Sequence, residues 1–385
     1  MRKNGSNGYP WRYAWFFMAY YAANSIYQNY ITVYFDSTGQ TTAQIGMLMG
    51  AVPIMSMLAQ PFFGNLGDRS KSRSRLLLIL CVLSATALFC MRLSGDFYWL
   101  MIMICLFAAT FITIQPLNDS IVLEALSERR MPFGPLRMMG SVAFAIAAVV
   151  VGGFLDSRVE LAPVIAGGVI LLAALCTLAL PKAPGHMTND NKTSMLSILK
   201  IKGLVPLLTL ESLLQLTLGF FYSFFSIHFL TLPGANSSLL GIAYIISALS
   251  EIPYLIFADR LFDKYGAGKM MLLSGVVLTI RWTVLASVSN VAVVMSSQLL
   301  HCLAFAVLTV SMGKHINKVV PDELKARGQM LLTIISFGVP RVIGNIGGGA
   351  LAQVIGIQPS FYYMAALAFI TLICFAPMYL KKRAT

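Results

Sequence analysis

Five ionisable residues interrupt long apolar stretches in the second half of the chain: Glu211, Glu251, Arg281, His301 and Arg341. An ionisable side chain at the centre of a bilayer costs at least about 2.5–3.5 kcal/mol on insertion scales, so such residues usually face a cavity and pair with one another. Carboxylates, an imidazole and guanidinium groups can exchange protons and can form paired hydrogen bonds with a polar molecule. We therefore expect these five side chains to share a polar cavity.

Three further candidates lie at the junction of the fourth and fifth apolar stretches. Asp119 is near the end of the fourth stretch, Arg137 opens the fifth, and Phe144 follows Arg137 by two helical turns. Each has a simpler interpretation. A charge at the end of a span can extend to the head groups, and Phe144 can pack in the core or against lipid. A lone histidine such as His301 can likewise be a hydrogen-bonded core residue.

The elements that position these residues are twelve apolar windows. Hydrophobic residues make up 57% of the 385 residues and charged residues only 11%, against about 25% charged in an ordinary globular domain. Each window is long enough to cross a bilayer, and backbone in hydrocarbon must form its own hydrogen bonds, so the windows are predicted to be helices. The predicted fold class is all-α integral membrane protein, with helices near 13–35, 42–63, 76–92, 97–118, 138–155, 162–180, 204–230, 238–257, 270–288, 290–313, 329–355 and 359–380.

The basic residues predict the orientation in the membrane. The chain has 28 Lys and Arg against 15 Asp and Glu. Twenty-four of the 28 fall in segments on the side of the N-terminus, whereas the opposite loops hold only Arg92 and Arg158. Because positive residues collect on the cytoplasmic side, both termini are predicted to be cytoplasmic in a cell (inner) membrane protein. Six cysteines lie within apolar stretches without a C-x-x-C pair, so no metal site is predicted.

A polar segment and a repeated motif divide the chain in two. Residues 181–203 are predicted to be a cytoplasmic linker between a first half, 1–180, and a second half, 204–385. An acid followed by a base recurs in a predicted loop just past the second helix of each half, which is typical of transporters built from two parallel repeats. The residues assigned to conformational gating in these loops are Gly64, Asp68, Arg69, Asp263 and Lys264.

The segment Gln60–Arg69 resembles the signature loop of the major facilitator superfamily. Four further segments are similar to the branch of lactose permeases, nucleoside symporters and phenylpropionate permeases: Pro116–Ser120, Phe133–Ser141, Gln329 and Gly344–Gly349. The resemblance covers nearly the whole chain. It implies two pseudo-symmetric halves of six helices each that alternate access to a central cavity.

The resemblance also implies a substrate site. In lactose permeases an acid on the fourth helix and an Arg on the fifth clamp the sugar hydroxyls, and Asp119 and Arg137 fall at these positions. Phe144 lies where lactose permeases have a Trp that stacks on the sugar. Glu251 and His301 are expected to complete the substrate-binding set.

A proton-coupling set follows from the same resemblance. Glu251, Arg281 and His301 fall where proton-coupled lactose permeases place an acid, an Arg and a His. Glu211 resembles an acid on the seventh helix that pairs with a base on the eleventh. Arg341 is the expected base, although it is displaced by about one turn.

Two positions depart from the lactose permease pattern. Ala304 occupies the position of the carboxylate that releases the coupled proton, and Gln298 occupies the position of a Lys. If transport is still coupled, Glu251 is the first candidate for the proton carrier and Asp119 the second. Otherwise the protein is a facilitator that uses no driving ion.

The sequence as a whole predicts a secondary transporter for a small polar organic solute, with a sugar or oligosaccharide favoured and proton symport as the driving reaction. Nucleoside or aromatic-acid transport, uncoupled facilitation and drug efflux remain alternatives. A non-transporting membrane sensor would not need the intramembrane charges, and no enzyme motif is present, so no enzymatic activity is predicted. The expected partners are the solute and membrane lipids but no nucleic acid, the expected state is a monomer, and no cofactor besides the proton is expected.

Overall fold

A computed structural model describes residues 11–127, 131–180 and 195–380, which form helices and short connections without any strand. The predicted all-α architecture is therefore confirmed. In the first part of the chain the helices are α1 Arg12–Ser37, α2 Thr42–Arg69, α3 Arg73–Met91, α4 Phe97–Ser127, α5 Gly134–Leu155 and α6 Ala162–Leu178.

The second part of the chain contains several interrupted helices. Helices α7 Leu204–Leu230, α8 Ser237–Ser287 and α9 Val291–Ser297 come first. A 3-10 turn, Gln298–Leu300, and a π-helical segment, Cys302–Ala306, connect α9 to α10. A second π-helical segment, Ile334–Gly338, lies between α11 and α12. The remaining helices are α10 Val307–Val319, α11 Lys325–Thr333, α12 Val339–Ile355 and α13 Ile357–Leu380.

Ten helical segments in the described ranges are long and apolar enough to cross a membrane. The 51-residue helix α8 counts once among them, although it contains the two predicted windows 238–257 and 270–288. Helix α1 is not among the ten, because its polar and tyrosine residues lower its hydropathy, yet it matches the window 13–35. Every predicted window therefore corresponds to a helix.

Two predicted loops are helical instead. Helix α2 continues through Gly64, Asp68 and Arg69, so the signature segment is the last part of a helix rather than a loop. The corresponding segment of the second half lies within α8, which departs from helical geometry only at Gly266, where φ is 73° and ψ is 164°. A positive φ of this kind favours glycine, and this break separates the eighth predicted span from the ninth.

Contacts group the chain into two compact units, one formed by residues 1–31 and 58–189 and the other by residues 32–57 and 190–385. The predicted division into halves 1–180 and 204–385 stays a prediction. Of the predicted linker 181–203, residues 181–194 lie outside the described residues. Residues Met195–Lys200 form a 3-10 helix, and Gly203, with a φ of 82°, precedes α7.

The first unit is organised around α3, which packs against α4 and α6. The Ser84 hydroxyl on α3 contacts the Thr110 hydroxyl on α4 at 2.8 Å, and the Tyr30 hydroxyl on α1 donates to the Ala148 carbonyl on α5 at 2.7 Å. Aromatic rings fill the space between α1 and α4, since the centroids of Tyr20 and Phe111 are 4.8 Å apart. This packing holds the ends of α4 and α5, which carry Asp119 and Arg137.

The second unit is organised around α7 and α8. Helix α8 packs against α13 and α10, and α7 packs against α12. The glycines of α12 permit close approach: a Cβ on Gly344 would overlap the Leu216 carbonyl of α7, and a Cβ on Gly349 would lie 2.7 Å from the Thr42 carbonyl of α2. Gly347, on the same helix, has open space where its Cβ would be. Small residues therefore place α12 directly against α7.

We predict that Gly344→Ala lowers the stability of the protein by about 1–3 kcal/mol, because the added methyl group forces α12 away from α7. Thermal unfolding of the purified protein in detergent measures the effect. Gly347→Ala, on the same helix, is the matched control and is expected to leave the unfolding temperature unchanged. Equal unfolding temperatures for the two variants would contradict the close packing of α7 and α12.

Candidate functional site

A chain of polar side chains joins α8 to the start of α10 inside the second unit. The Arg281 guanidinium contacts Nδ1 of His301 at 3.1 Å, and Nε2 of His301 lies 3.5 Å from Oε1 of Glu251. The Tyr222 hydroxyl is 3.4 Å from the same Nε2. Arg281 is fully buried and the Glu251 side chain is 28% exposed. This series of side-chain contacts therefore connects a buried cation to an accessible carboxylate.

The hydrogen bonds define the tautomer of His301. A guanidinium group has only donors, so Nδ1 of His301 must accept the hydrogen bond from Arg281. The remaining proton of a neutral imidazole is then on Nε2, facing Glu251 and Tyr222. In this arrangement His301 connects the charge of Arg281 to the charge of Glu251 without being charged itself.

Gln298 completes the surroundings of Arg281. Its Oε1 accepts hydrogen bonds from the Arg281 guanidinium and, at 3.2 Å, from the Ser247 hydroxyl. Arg281 also lies over the Phe221 ring, 4.3 Å from the centroid. A Lys at position 298 would place a second cation here, whereas the amide supplies a neutral acceptor for Arg281.

Arg341 and Glu211 do not form the predicted ion pair. Arg341 lies between the rings of Tyr222 and Phe337, 4.8 and 4.7 Å from their centroids, and no described carboxylate is within 4 Å of it. Glu211 is fully buried and instead accepts a 2.6 Å hydrogen bond from the Ser336 hydroxyl. The π-helical segment between Thr333 and α12 presents Ser336 to Glu211, which explains why the expected partner is replaced.

The first unit holds the other predicted substrate residues. Asp119 on α4 interacts electrostatically with Arg137 at the start of α5, and Oδ1 of Asp119 is buried without a hydrogen-bond partner among the described residues. Arg137 lies over the Tyr21 ring at 4.1 Å. Phe144 is half-buried and makes no ring contact with another described aromatic residue. Asp119 and Arg137 thus form a small polar group, which Phe144 does not join.

The predicted gating residues lie away from these clusters. Asp68 and Arg69 are exposed at the end of α2, and Gly64 has open space around it. Asp263 lines a cavity of about 400 Å³ in the second unit, together with Lys202 and Lys318. The Lys264 ammonium lies over the neighbouring Tyr265 ring at 5.1 Å. Their gating role stays a prediction.

Sequence reasoning missed several neutral partners. Tyr222 contacts His301, Ser247 contacts Gln298, and Ser336 contacts Glu211. Helical spacing offered a signal for one of these contacts, the one between Ser247 and Gln298. Ser247 precedes Glu251 by four residues, and Gln298 precedes His301 by three, so each pair shares one face of its helix. No charge marks these side chains, so a search for ionisable residues passes over them.

The fold is that of a known class of membrane transporter. The crystal structure of the nucleoside transporter NupG matches this chain with a TM-score of 0.86 at 18% sequence identity, over 96% of this chain and 99% of that one. At this identity the likeness defines the fold alone. Together with the apolar helices, it gives the chain the all-α fold of a multi-pass membrane transporter.

Sequence relatives define the family. The chain belongs to the family described as MFS_1 like, which matches residues 10–363. The maltose permease of Geobacillus stearothermophilus is 24% identical over 351 residues, covering 88% of this chain and 86% of the permease. The probable 3-phenylpropionic acid transporter of Escherichia coli strain K12 is 25% identical over 361 residues, covering 91% of this chain and 93% of that protein. The predicted superfamily is confirmed, and these relatives are transporters rather than enzymes.

We predict that Gln298→Lys destabilises the protein by about 3–5 kcal/mol, because it buries an unpaired cation beside Arg281. Gln298→Glu is the matched control, since it keeps an acceptor for Arg281 and adds a counter-charge. Thermal unfolding of both variants in the same detergent measures the difference. If Gln298→Lys unfolds at the wild-type temperature, Gln298 does not hold Arg281 in the folded protein.

Proposed function

We propose that the protein is a proton-coupled secondary transporter that carries a small polar organic solute across the cell's inner membrane. The main support for the proposal is the series of side-chain contacts from Arg281 through His301 to Glu251. Major facilitator proteins move solutes by exposing a central site alternately to the two sides of the membrane. A titratable group connected to a buried charge provides a means to couple that movement to a proton.

The coupling follows from the charges of Glu251, His301 and Arg281. With Glu251 ionised, its negative charge balances Arg281 through the neutral His301. Protonation of Glu251 removes this balance and leaves a buried cation whose nearest acceptors are neutral. A solute that takes over the hydrogen bonds of Glu251 therefore changes the affinity of the carboxylate for its proton, which links the two binding events.

A sugar or oligosaccharide is the favoured solute. Its hydroxyl groups suit a carboxylate with an unused acceptor oxygen and a guanidinium that donates several hydrogen bonds. Asp119 and Arg137 provide these groups in the first unit. The similarity to a maltose permease also supports this choice.

An aromatic carboxylic acid is the second candidate, on one specific observation. Arg341 has aromatic rings on two sides and no described carboxylate within 4 Å. Together with Arg281 and Glu251 it leaves a net positive charge, which an anionic solute would neutralise. The similarity to a probable 3-phenylpropionic acid transporter is consistent with such a solute.

The proposed orientation places both termini in the cytoplasm, with the 24 basic residues of the inside segments near the anionic head groups. We propose a monomer, since the repeat supplies both halves of the transporter from one chain. Nucleoside transport, drug efflux and uncoupled facilitation are the outcomes that would replace this proposal.

We predict that adding the correct solute to lightly buffered, de-energised vesicles that contain the protein makes the external medium alkaline, because the proton enters with the solute. A panel of sugars, nucleosides and aromatic acids identifies the solute class. Glu251→Gln is expected to abolish the alkalinisation. Glu160→Gln, the same change at an exposed acid, is the control and is expected to leave it intact. Solute counterflow without any proton movement would replace symport with facilitation.

We predict that Arg341→Gln lowers the uptake of an aromatic acid by about tenfold or more, since it removes a charged hydrogen bond, while sugar uptake falls much less. Uptake of both labelled solutes into vesicles measures the two effects. Arg158→Gln, which removes a charge from an exposed connection, is the matched control. If Arg341→Gln lowers sugar and acid uptake equally, Arg341 does not select an anionic solute.

A further inference from the structure

Glu211 is a buried acid without a counter-ion in the second unit. It lies in the middle of α7, is fully buried, and has a Ser336 hydroxyl hydrogen-bonded to its Oε1 at 2.6 Å. No described Lys or Arg nitrogen lies within 4 Å of its carboxyl group. An ionised carboxylate in such surroundings carries a large desolvation cost that a single hydroxyl does not offset.

Several charged groups on the helices packed against α7 contact residues other than Glu211. On α8, Arg281 contacts Gln298 and His301, and Glu251 faces His301. On α10, Lys314 pairs with Asp259. On α12, Arg341 lies against Tyr222 and Phe337. The interactions of the Glu211 carboxyl are with Ser336 and Gln215, both neutral.

Two buried oxygen atoms without hydrogen-bond partners indicate the protonation state of the Glu211 carboxyl group. Oε2 of Glu211 and Oε1 of Gln215 are both buried without a hydrogen-bond partner in the described part of the chain. The two residues are four apart on α7, so their side chains are neighbours on one face. Two acceptors cannot bond to each other, but a proton on Oε2 turns Glu211 into a donor to Gln215.

We infer that Glu211 binds a proton in this conformation and donates it in a hydrogen bond to the side-chain carbonyl of Gln215. The Gln215 amide then donates onward to the Thr309 hydroxyl at 3.5 Å. One proton therefore completes a series of hydrogen bonds from Ser336 through Glu211 and Gln215 to Thr309. This series links the second π-helical segment, α7 and α10.

This inference rests on the proposed function only in the role that it gives to the proton. The Ile334–Gly338 segment carries Ser336, so a shift of this segment would withdraw the donor from Glu211 and admit water to the carboxyl group. The proton could then leave as the carboxylate becomes hydrated. Glu211 is thus a second proton site, distinct from Glu251.

Infrared difference spectroscopy of the purified protein in lipid tests the bound proton directly. We expect the wild-type protein at neutral pH to show the carbonyl stretch of a protonated carboxylic acid, shifted by deuterium exchange and absent from Glu211→Gln. Gln215→Leu should move the band, because it removes the acceptor. Thr209→Ala, a change at an exposed position of the same helix whose hydroxyl donates only to the Val205 carbonyl, is the control and should leave the band in place.

Carboxylate bands in the wild-type minus Glu211→Gln spectrum would overturn the inference, because they would mean that Glu211 is ionised and that the Gln215 amide faces it the other way round. If Glu211→Gln does not fold, the band shift in Gln215→Leu decides the same question. An unchanged band in a folded Gln215→Leu protein would show that the proton is not donated to Gln215.

Transport in vesicles tests the role of the proton separately. We expect Glu211→Gln to lower proton-driven accumulation of the solute far more than solute counterflow, with Thr209→Ala as the control. Wild-type coupling in Glu211→Gln would overturn the coupling role and leave the proton as a structural feature. If wild-type protein moves no protons at all, the proposed symport fails, whereas the infrared band still reports on Glu211.

Discussion

The burial of Arg281 is the constraint on which the second unit depends. A guanidinium in the interior of a membrane has five donors to satisfy and a charge to balance. The surrounding hydrocarbon offers neither hydrogen-bond acceptors nor counter-charges. The protein meets part of this demand with neighbours drawn from several helices, while Nε of Arg281 is buried without a hydrogen-bond partner in the described part of the chain. Gln298 and His301 flank the connection into α10, Glu251 belongs to α8, and Phe221 of α7 covers the guanidinium. Removing Gln298 or His301 would take away one of the two hydrogen-bond acceptors of the buried guanidinium.

Neutral groups occupy three positions of the second unit where the resemblance to the lactose permeases implies charges. By that resemblance, Gln298 stands where a Lys is expected and Ala304 where a carboxylate is expected, and Ser336 lies beside Glu211 where a base is expected. Each replacement removes a charge from the interior of the second unit. The consequence is a smaller set of ions, in which Glu251 and Arg281 are balanced through an imidazole and Arg341 is left to its aromatic neighbours.

Much of the fold could be predicted from the sequence, because length and hydropathy are local properties. The window 204–230 coincides with α7, and every other window matches a helix. The connections were harder, since polar residues such as Asp68 and Arg69 read as a loop but continue α2 beyond the apolar stretch. The contact between Arg281 and His301 could be expected from their rarity. The partners Tyr222 and Ser336 could not, because neutral residues carry no such signal and their positions depend on packing.

The π-helical segment Ile334–Gly338 has a further consequence for how the faces of α12 are read. Such a segment accommodates one extra residue in a helix, and one residue corresponds to a rotation of roughly 100° about the axis. Every side chain from Val339 onward is therefore turned relative to an uninterrupted continuation of α11. Residue spacing counted across this point assigns α12 to the wrong azimuth. The face that carries Arg341 is set by this single insertion, so deletion of one residue from this segment would rotate Arg341 away from its present direction without changing any residue of α12.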